Sequence, residues 1–193
     1  MLAFWPSLFD YLKRLGKPKL PSDVDFIGQA YLTSAQILSL GETALKVAIE
    51  ELGQGETTAN NVGPALVRYK ANGKFWCAGF VSYCYETAAE RLGYQLPFKR
   101  SLGARILYSR IGAAKLFGRR VGQFVKDPLP GDVICWERGA NGTSGHIGIV
   151  EYVKKGIVHT IEGNTGGFPS VVCRRTHDIR NERFIGYAGI RGL

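Results

Sequence analysis

Histidine, acidic side chains and long apolar runs are all scarce in this sequence, and each shortage narrows its reading. No apolar stretch approaches the roughly 20 residues of a membrane-spanning helix. The four cysteines, at 77, 84, 135 and 173, include no CxxC pair, which argues against a four-cysteine zinc site. Neither an internal repeat nor a low-complexity tract is present. The 16 Asp and Glu are outnumbered by 25 Lys and Arg, leaving a formal charge of +9. That excess suits polyanionic surroundings such as nucleic acid, anionic lipid or bacterial cell-wall polymer. The charge is dispersed, with short clusters at Lys13-Arg14 and Arg119-Arg120. A dedicated nucleic-acid-binding stripe is therefore not expected. What is present is a 193-residue chain, 45% apolar and 11% aromatic, enough for one folded domain with its own core.

Residues 1–12 read as a short apolar helix that packs on the domain or touches a membrane or partner. They do not read as a secretory signal, because the basic residues follow the apolar stretch, Asp10 interrupts it and no small-residue cleavage site comes after. Lys17 to Pro21 reads as a linker, since Pro18 and Pro21 break regular structure. The expected division is an N-terminal segment over 1–41 and a second unit over 42–193. Helical spacing is expected over about 25–38, with a break at Ser39 and Gly41. It resumes over Glu42–Leu52, Pro64–Lys70, Cys77–Leu92 and 101–118. After Arg120 the pattern becomes β, with strands expected at Val133–Trp136, His146–Val153, Ile157–Glu162, Val171–Arg175 and Phe184–Ile190. Helices followed by strands predict an α+β fold with an antiparallel sheet.

The most informative stretch is Phe75-Trp76-Cys77-Ala78-Gly79-Phe80, where a cysteine opens an apolar helix after the loop 70–74. The helix dipole and its first N–H groups favour thiolate, which is the nucleophilic form. Such a nucleophile needs an imidazole and a group to orient it. His146 follows the loop Gly139–Gly145 and starts a strand, whereas His159 lies within a strand and His177 reads as part of a charged turn. With Lys154-Lys155-Gly156 as the hairpin turn, position 146 falls opposite about 164. Glu162 and Asn164, two apart and on one face, then come within cross-strand reach of His146. Cys84, Cys135 and Cys173 read as small buried hydrophobes, with a Cys135–Cys173 bridge left open.

Trp76-Cys77 at a helix start, Pro130-Gly131-Asp132-Val133 before a strand, Gly145-His146-Ile147-Gly148-Ile149-Val150 and Glu162-Gly163-Asn164-Thr165 together resemble the CHAP family, the cysteine, histidine-dependent amidohydrolases and peptidases, and the related NlpC-type cell-wall peptidases. The resemblance covers roughly residues 42–190. It implies a papain-like α+β fold and hydrolysis of amide bonds in bacterial peptidoglycan, by an endopeptidase or an N-acetylmuramoyl-alanine amidase. Carried over, Cys77 is nucleophile, His146 base and Glu162 orienter, with Asn164 assisting. Many CHAP sequences have glutamine before the cysteine, where this chain has Trp76. The Cys77 backbone N–H is therefore the expected oxyanion donor, ahead of Asn72. No metal or cofactor is needed for such chemistry.

Two other classes compete. A metal-dependent hydrolase would use His146, His159 and Glu162, although strand parity sets His159 and Glu162 on opposite faces. A catalytically inactive module would bind wall material or a partner. A monomer acting on the wall after phage-type release, or after injection, is the expectation for assembly and location.

Overall fold

The structure, a computed structural model, describes residues 34–93, 95–139, 144–181 and 183–191, with side chains from residue 40 onward apart from that of Asn181. The expected helix over 1–12, the linker at 17–21 and residues 25–33 lie outside the described residues.

Four helices come first: α1 (Ser34–Glu50), α2 (Pro64–Arg68), α3 (Cys77–Leu92) and α4 (Ala104–Gly112). Their ends follow local chemistry. Pro64 starts α2, where its missing N–H costs nothing, and Gly93 ends α3 at φ 78, a left-handed conformation that suits glycine. The break expected at Ser39 and Gly41 does not occur, and α1 runs through both. Gly41 serves instead as a contact point. A Cβ on Gly131 would lie 2.1 Å from the Gly41 carbonyl, so the helix backbone rests directly on the turn before the sheet.

The helix expected over 101–118 is shorter. Residues 115–120 form a small hairpin, β1 (Lys115–Leu116) with β2 (Arg119–Arg120), turning at Phe117 and Gly118 with φ 48 and 80. Both angles are positive, as a tight two-residue hairpin turn requires.

The main sheet contains β3 (Gly122–Val125), β4 (Val133–Arg138), β5 (Ser144–Lys154), β6 (Ile157–Glu162), β7 (Cys173–Asp178) and β8 (Phe184–Ile190), in the order β3-β8-β4-β5-β6-β7. All its pairings are antiparallel. Strand β3 goes beyond the sequence expectation, and the strand expected at 171–175 is displaced to 173–178. The α+β, papain-like architecture is thus present, with helices packed on one antiparallel sheet.

Alternation along the strands produces two apolar layers. Val133, Ile147, Ile149, Ile161 and Ala188 join Phe80, Val81, Cys84 and Tyr85 of α3 in the main core. Ile134, Trp136, Val150, Val158 and Tyr187 form a second cluster on the other face. Phe80 is fully buried, so its truncation to alanine costs about 3–5 kcal/mol. Tyr85 Oη donates to the Gly131 carbonyl at 2.5 Å, and buried Asp132 is paired with Arg191. These contacts tie α3 and the last strand to the turn that feeds β4.

The sheet also curls. Strands β7 and β8 sit four positions apart, about 19 Å in a flat sheet. Residues 179–183 alone join them, beginning with a 3-10 turn at Ile179–Asn181. Such a link spans only about 16 Å. Curling closes the gap and brings the end of β7 over β4, where the rings of His177 and Trp136 lie 4.4 Å apart.

Candidate active site

Trp76 caps α3 and Cys77 is its first residue, as its place in the sequence predicts. The sulfur meets the His146 side chain and the backbone of Ala78 and Ile147. Burial pushes the thiol pKa up, but the hydrogen bond and charge of His146, helped by those backbone groups, bring it below the ordinary value. His146 responds in the opposite sense. Burial favours the neutral ring, yet Cys77 and Glu162 raise its pKa above the ordinary histidine value. The two shifts together favour a thiolate–imidazolium pair.

His146 is 2% exposed, and its Nε2 lies 2.8 Å from Glu162 Oε2. With Nε2 engaged there, Nδ1 is left to face the sulfur. Trp136, opposite His146 in the ladder, stacks on the imidazole with centroids 5.7 Å apart. Glu162 is 1% exposed. Desolvation opposes its charge, but hydrogen bonds from His146, His177 and Thr160 hold the carboxyl far below the usual carboxylate range.

How Glu162 comes to His146 depends on one irregularity. The β5–β6 hairpin turns at Lys155-Gly156, so Lys154 pairs with Ile157 and Tyr152 with His159. Continued unchanged, that register would set Glu162 beside Ile149, on the opposite face from His146. A bulge at Glu151 shifts the pairing by one, to Val150 with Thr160 and Ile149 with Ile161. Glu162 then shares a face with His146. Gly148 completes the approach, because a Cβ there would lie 2.7 Å from Glu162 Cγ.

Two supports escape sequence reasoning. His177 lies in β7 rather than in a turn, and its Nε2 is 2.5 Å from Glu162 Oε1. The same oxygen accepts from Thr160 Oγ1 at 2.6 Å. Glu162 is therefore held from both sides. The other support is Glu56, 4% exposed, which accepts from Trp76 Nε1 at 3.1 Å, from Asn61 N at 3.0 Å and from Ser170 N at 2.8 Å. Trp76 in turn fills the space beside Gly163, where a Cβ would meet the indole at 2.4 Å. Trp76, the residue before Cys77, thus supports the loop after Glu162. A buried acid among backbone donors gives no one-dimensional signal.

Asn164, with φ 58, lines the same cleft as Cys77 and His146. The cleft has a volume of about 350 Å³. Asn72 is not among its lining residues, and its Oδ1 accepts from the Gly63 N–H at 3.0 Å. His159 projects away from the site and stacks on Tyr152, with centroids 4.1 Å apart. The ligand set His146, His159 and Glu162 does not converge, and among the described residues no group of three His, Cys, Asp or Glu is arranged to hold a metal. All four cysteines are free, so Cys135 and Cys173 are not bridged. Burial leaves Cys84 well above the ordinary thiol pKa and pushes Cys135 up to about 12. Neither ionises readily.

A helix-borne thiol joined to a strand-borne imidazole and a buried acid is accompanied by a family match. The profile of the CHAP domain matches residues 69–164, a span holding Cys77, His146, Glu162 and Asn164. Residues 69–164 are a CHAP domain. Its sheet continues beyond the matched span through β8. No curated protein matches the sequence. Among solved structures, the peptidoglycan hydrolase RipB from Mycobacterium tuberculosis is similar at 16% identity and a TM-score of 0.50, over 93% of this chain and 76% of that one. The endolysin LysIME-EF1 is similar at 15% identity and a TM-score of 0.50, over 79% of this chain and 64% of its own. Ly7917 aligns at 16% identity and a TM-score of 0.49, over 78% of this chain and 62% of that one. The chain thus spans less than two thirds of Ly7917 and of the endolysin. At these identities the likeness to RipB and the endolysin is one of fold alone.

Proposed function

We propose that this chain hydrolyses amide bonds of bacterial peptidoglycan through Cys77, His146 and Glu162. The observation that carries the reading is the continuous line from Cys77 through the imidazole to Glu162, with the sulfur opening on a cleft. It draws further support from the CHAP domain and from a fold shared with a peptidoglycan hydrolase and an endolysin.

In this mechanism the Cys77 proton rests on His146. The thiolate attacks the scissile carbonyl, forming a C–S bond while the carbonyl electrons move to oxygen. The Cys77 backbone N–H, at the positive end of α3, stabilises that oxygen, while Asn164 assists Glu162 in orienting the imidazole. As the C–N bond breaks, His146 gives its proton to the leaving nitrogen. Water then loses a proton to His146, its oxygen bonds to the acyl carbon, and the C–S bond breaks to restore the thiolate. Glu162 holds the ring for both transfers. The excess positive charge concentrates the protein on an anionic wall, an effect that salt weakens. The working unit takes in residues 42–193 together with the first turns of α1 from Ser34, and acts as a monomer, reaching the wall by phage-type release or by injection.

Purified peptidoglycan is digested and the soluble fragments are analysed by mass spectrometry. New amino and carboxyl termini at one type of amide bond are expected, and Cys77→Ala should release none. Wall binding without any released termini, or full activity in Cys77→Ala, overturns the reading.

A further inference from the structure

The two sides of the Cys77 cleft differ in chemistry. On the Cys77 side, Phe75, 76% exposed, and Leu102, which lies against Gly79 of α3, are apolar. The charged side chains lining it, besides the His146 imidazole, are those of Arg105 and Arg138, and no carboxylate is among its described lining residues. Both arginines sit on the His146 side. Arg138 ends β4, and its carbonyl accepts from Ser144 Oγ at 2.6 Å, two residues before His146. Arg105 lies against Gly145, where a Cβ would be 2.8 Å from Arg105 Cγ. Arg105 Nη1 is 3.7 Å from Glu137 Oε1, with the side chains 45% and 39% exposed. A pair that long and that wet contributes little by itself.

Direction follows from the chemistry proposed above, on which this step rests. His146 protonates the leaving nitrogen, so the amine-side residue of the substrate must lie on the His146 side of the cleft. That is the side with the guanidinium groups. We infer that the site selects amides whose leaving nitrogen is borne on a carbon that also carries a free carboxylate. Arg138 and Arg105 receive this carboxylate, while the apolar side takes the acyl portion. A free carboxylate at that carbon means that the residue is linked onward through its side chain, or ends the peptide. Stem peptides offer it in two internal places. One is glutamate joined onward through its side-chain carboxyl. The other is the carbon of a cross-linked diamino acid that bears its second amine. The shared feature is a carboxylate two bonds from the leaving nitrogen.

The test uses the full chain and synthetic stem peptides in matched pairs, free acid against carboxamide, at each of the two positions. Amidation should lower kcat/KM about 10-fold or more in at least one pair, chiefly through KM, and the affected pair identifies the source. In Arg138→Gln and Arg105→Gln that penalty should shrink to about 3-fold or less. Thermal melts check that these exposed substitutions leave the fold intact. Equal cleavage of acid and amide in both pairs overturns the inference, as does undiminished discrimination in both variants. If no peptide is cleaved, the hydrolase reading fails by itself. The carboxylate preference is then read from binding of the same pairs to Cys77→Ala, where equal affinities overturn it.

Discussion

Gly148 lies directly against Glu162, and the absence of a side chain at 148 is what lets the carboxylate lean across to His146. A Cβ there would come within 2.7 Å of Glu162 Cγ and 3.4 Å of the carboxyl carbon. Gly148→Ala should therefore push Glu162 off the imidazole while leaving the strand in place. Displacement of this kind costs about 10²-fold in kcat. Steady-state kinetics on wall fragments test it, and an unchanged kcat would mean that Glu162 does not set the ring.

The opposed pKa shifts of Cys77 and His146 predict a bell-shaped pH profile. Ionisation of the pair governs the acid limb, which should fall below the ordinary thiol value of 9.0. Loss of the imidazolium proton governs the alkaline limb, which should lie above the ordinary histidine value of 6.5. Both limbs belong to the coupled pair rather than to either residue. Plotting kcat/KM against pH measures them, and a profile that rises only above pH 9 would remove the ion pair from the mechanism.

His177 shares Glu162 with His146 and acts as a positioning residue. With His177→Phe the carboxylate loses a hydrogen bond and becomes more basic toward His146. The alkaline limb should move to higher pH while kcat falls about 3- to 10-fold. His177→Gln keeps a donor and should restore much of the loss. A fall in activity with no movement of the limb would reduce His177 to packing.

Glu56 is predicted to matter for stability rather than for chemistry. Glu56→Ala strands the Trp76 indole N–H and the N–H groups of Asn61 and Ser170. Unsatisfied buried donors cost about 1–3 kcal/mol each, so a loss near the upper end of single-residue effects, about 3 kcal/mol, is expected in denaturant unfolding. A loss under about 1 kcal/mol would mean that water replaces the carboxylate.

The hairpin register expected from the sequence is met near the site for reasons that partly cancel. A turn at 154–156 sets position 146 opposite 164. The true turn at Lys155-Gly156 shifts the ladder by one, and the Glu151 bulge shifts it back. Residues 149 and 161 consequently pair as the sequence reading requires. Neither the turn type nor the bulge is visible in alternation, because the period-2 pattern tolerates a single extra residue.

The amino-acid sequence by itself determined the local features: the helix from Cys77 to Gly93, the cysteine at its start, and strands at 157–162 and 184–190. Caps, glycines and alternation act over a few residues and are legible in one dimension. Only the tertiary structure decided that Gly41 is a contact rather than a break, that Trp76 rests on Glu56, and that His177 reaches Glu162. Those pairings join residues 15 to 90 positions apart. The His177 contact depends on how far the sheet curls, and the other two depend on the packing of whole elements.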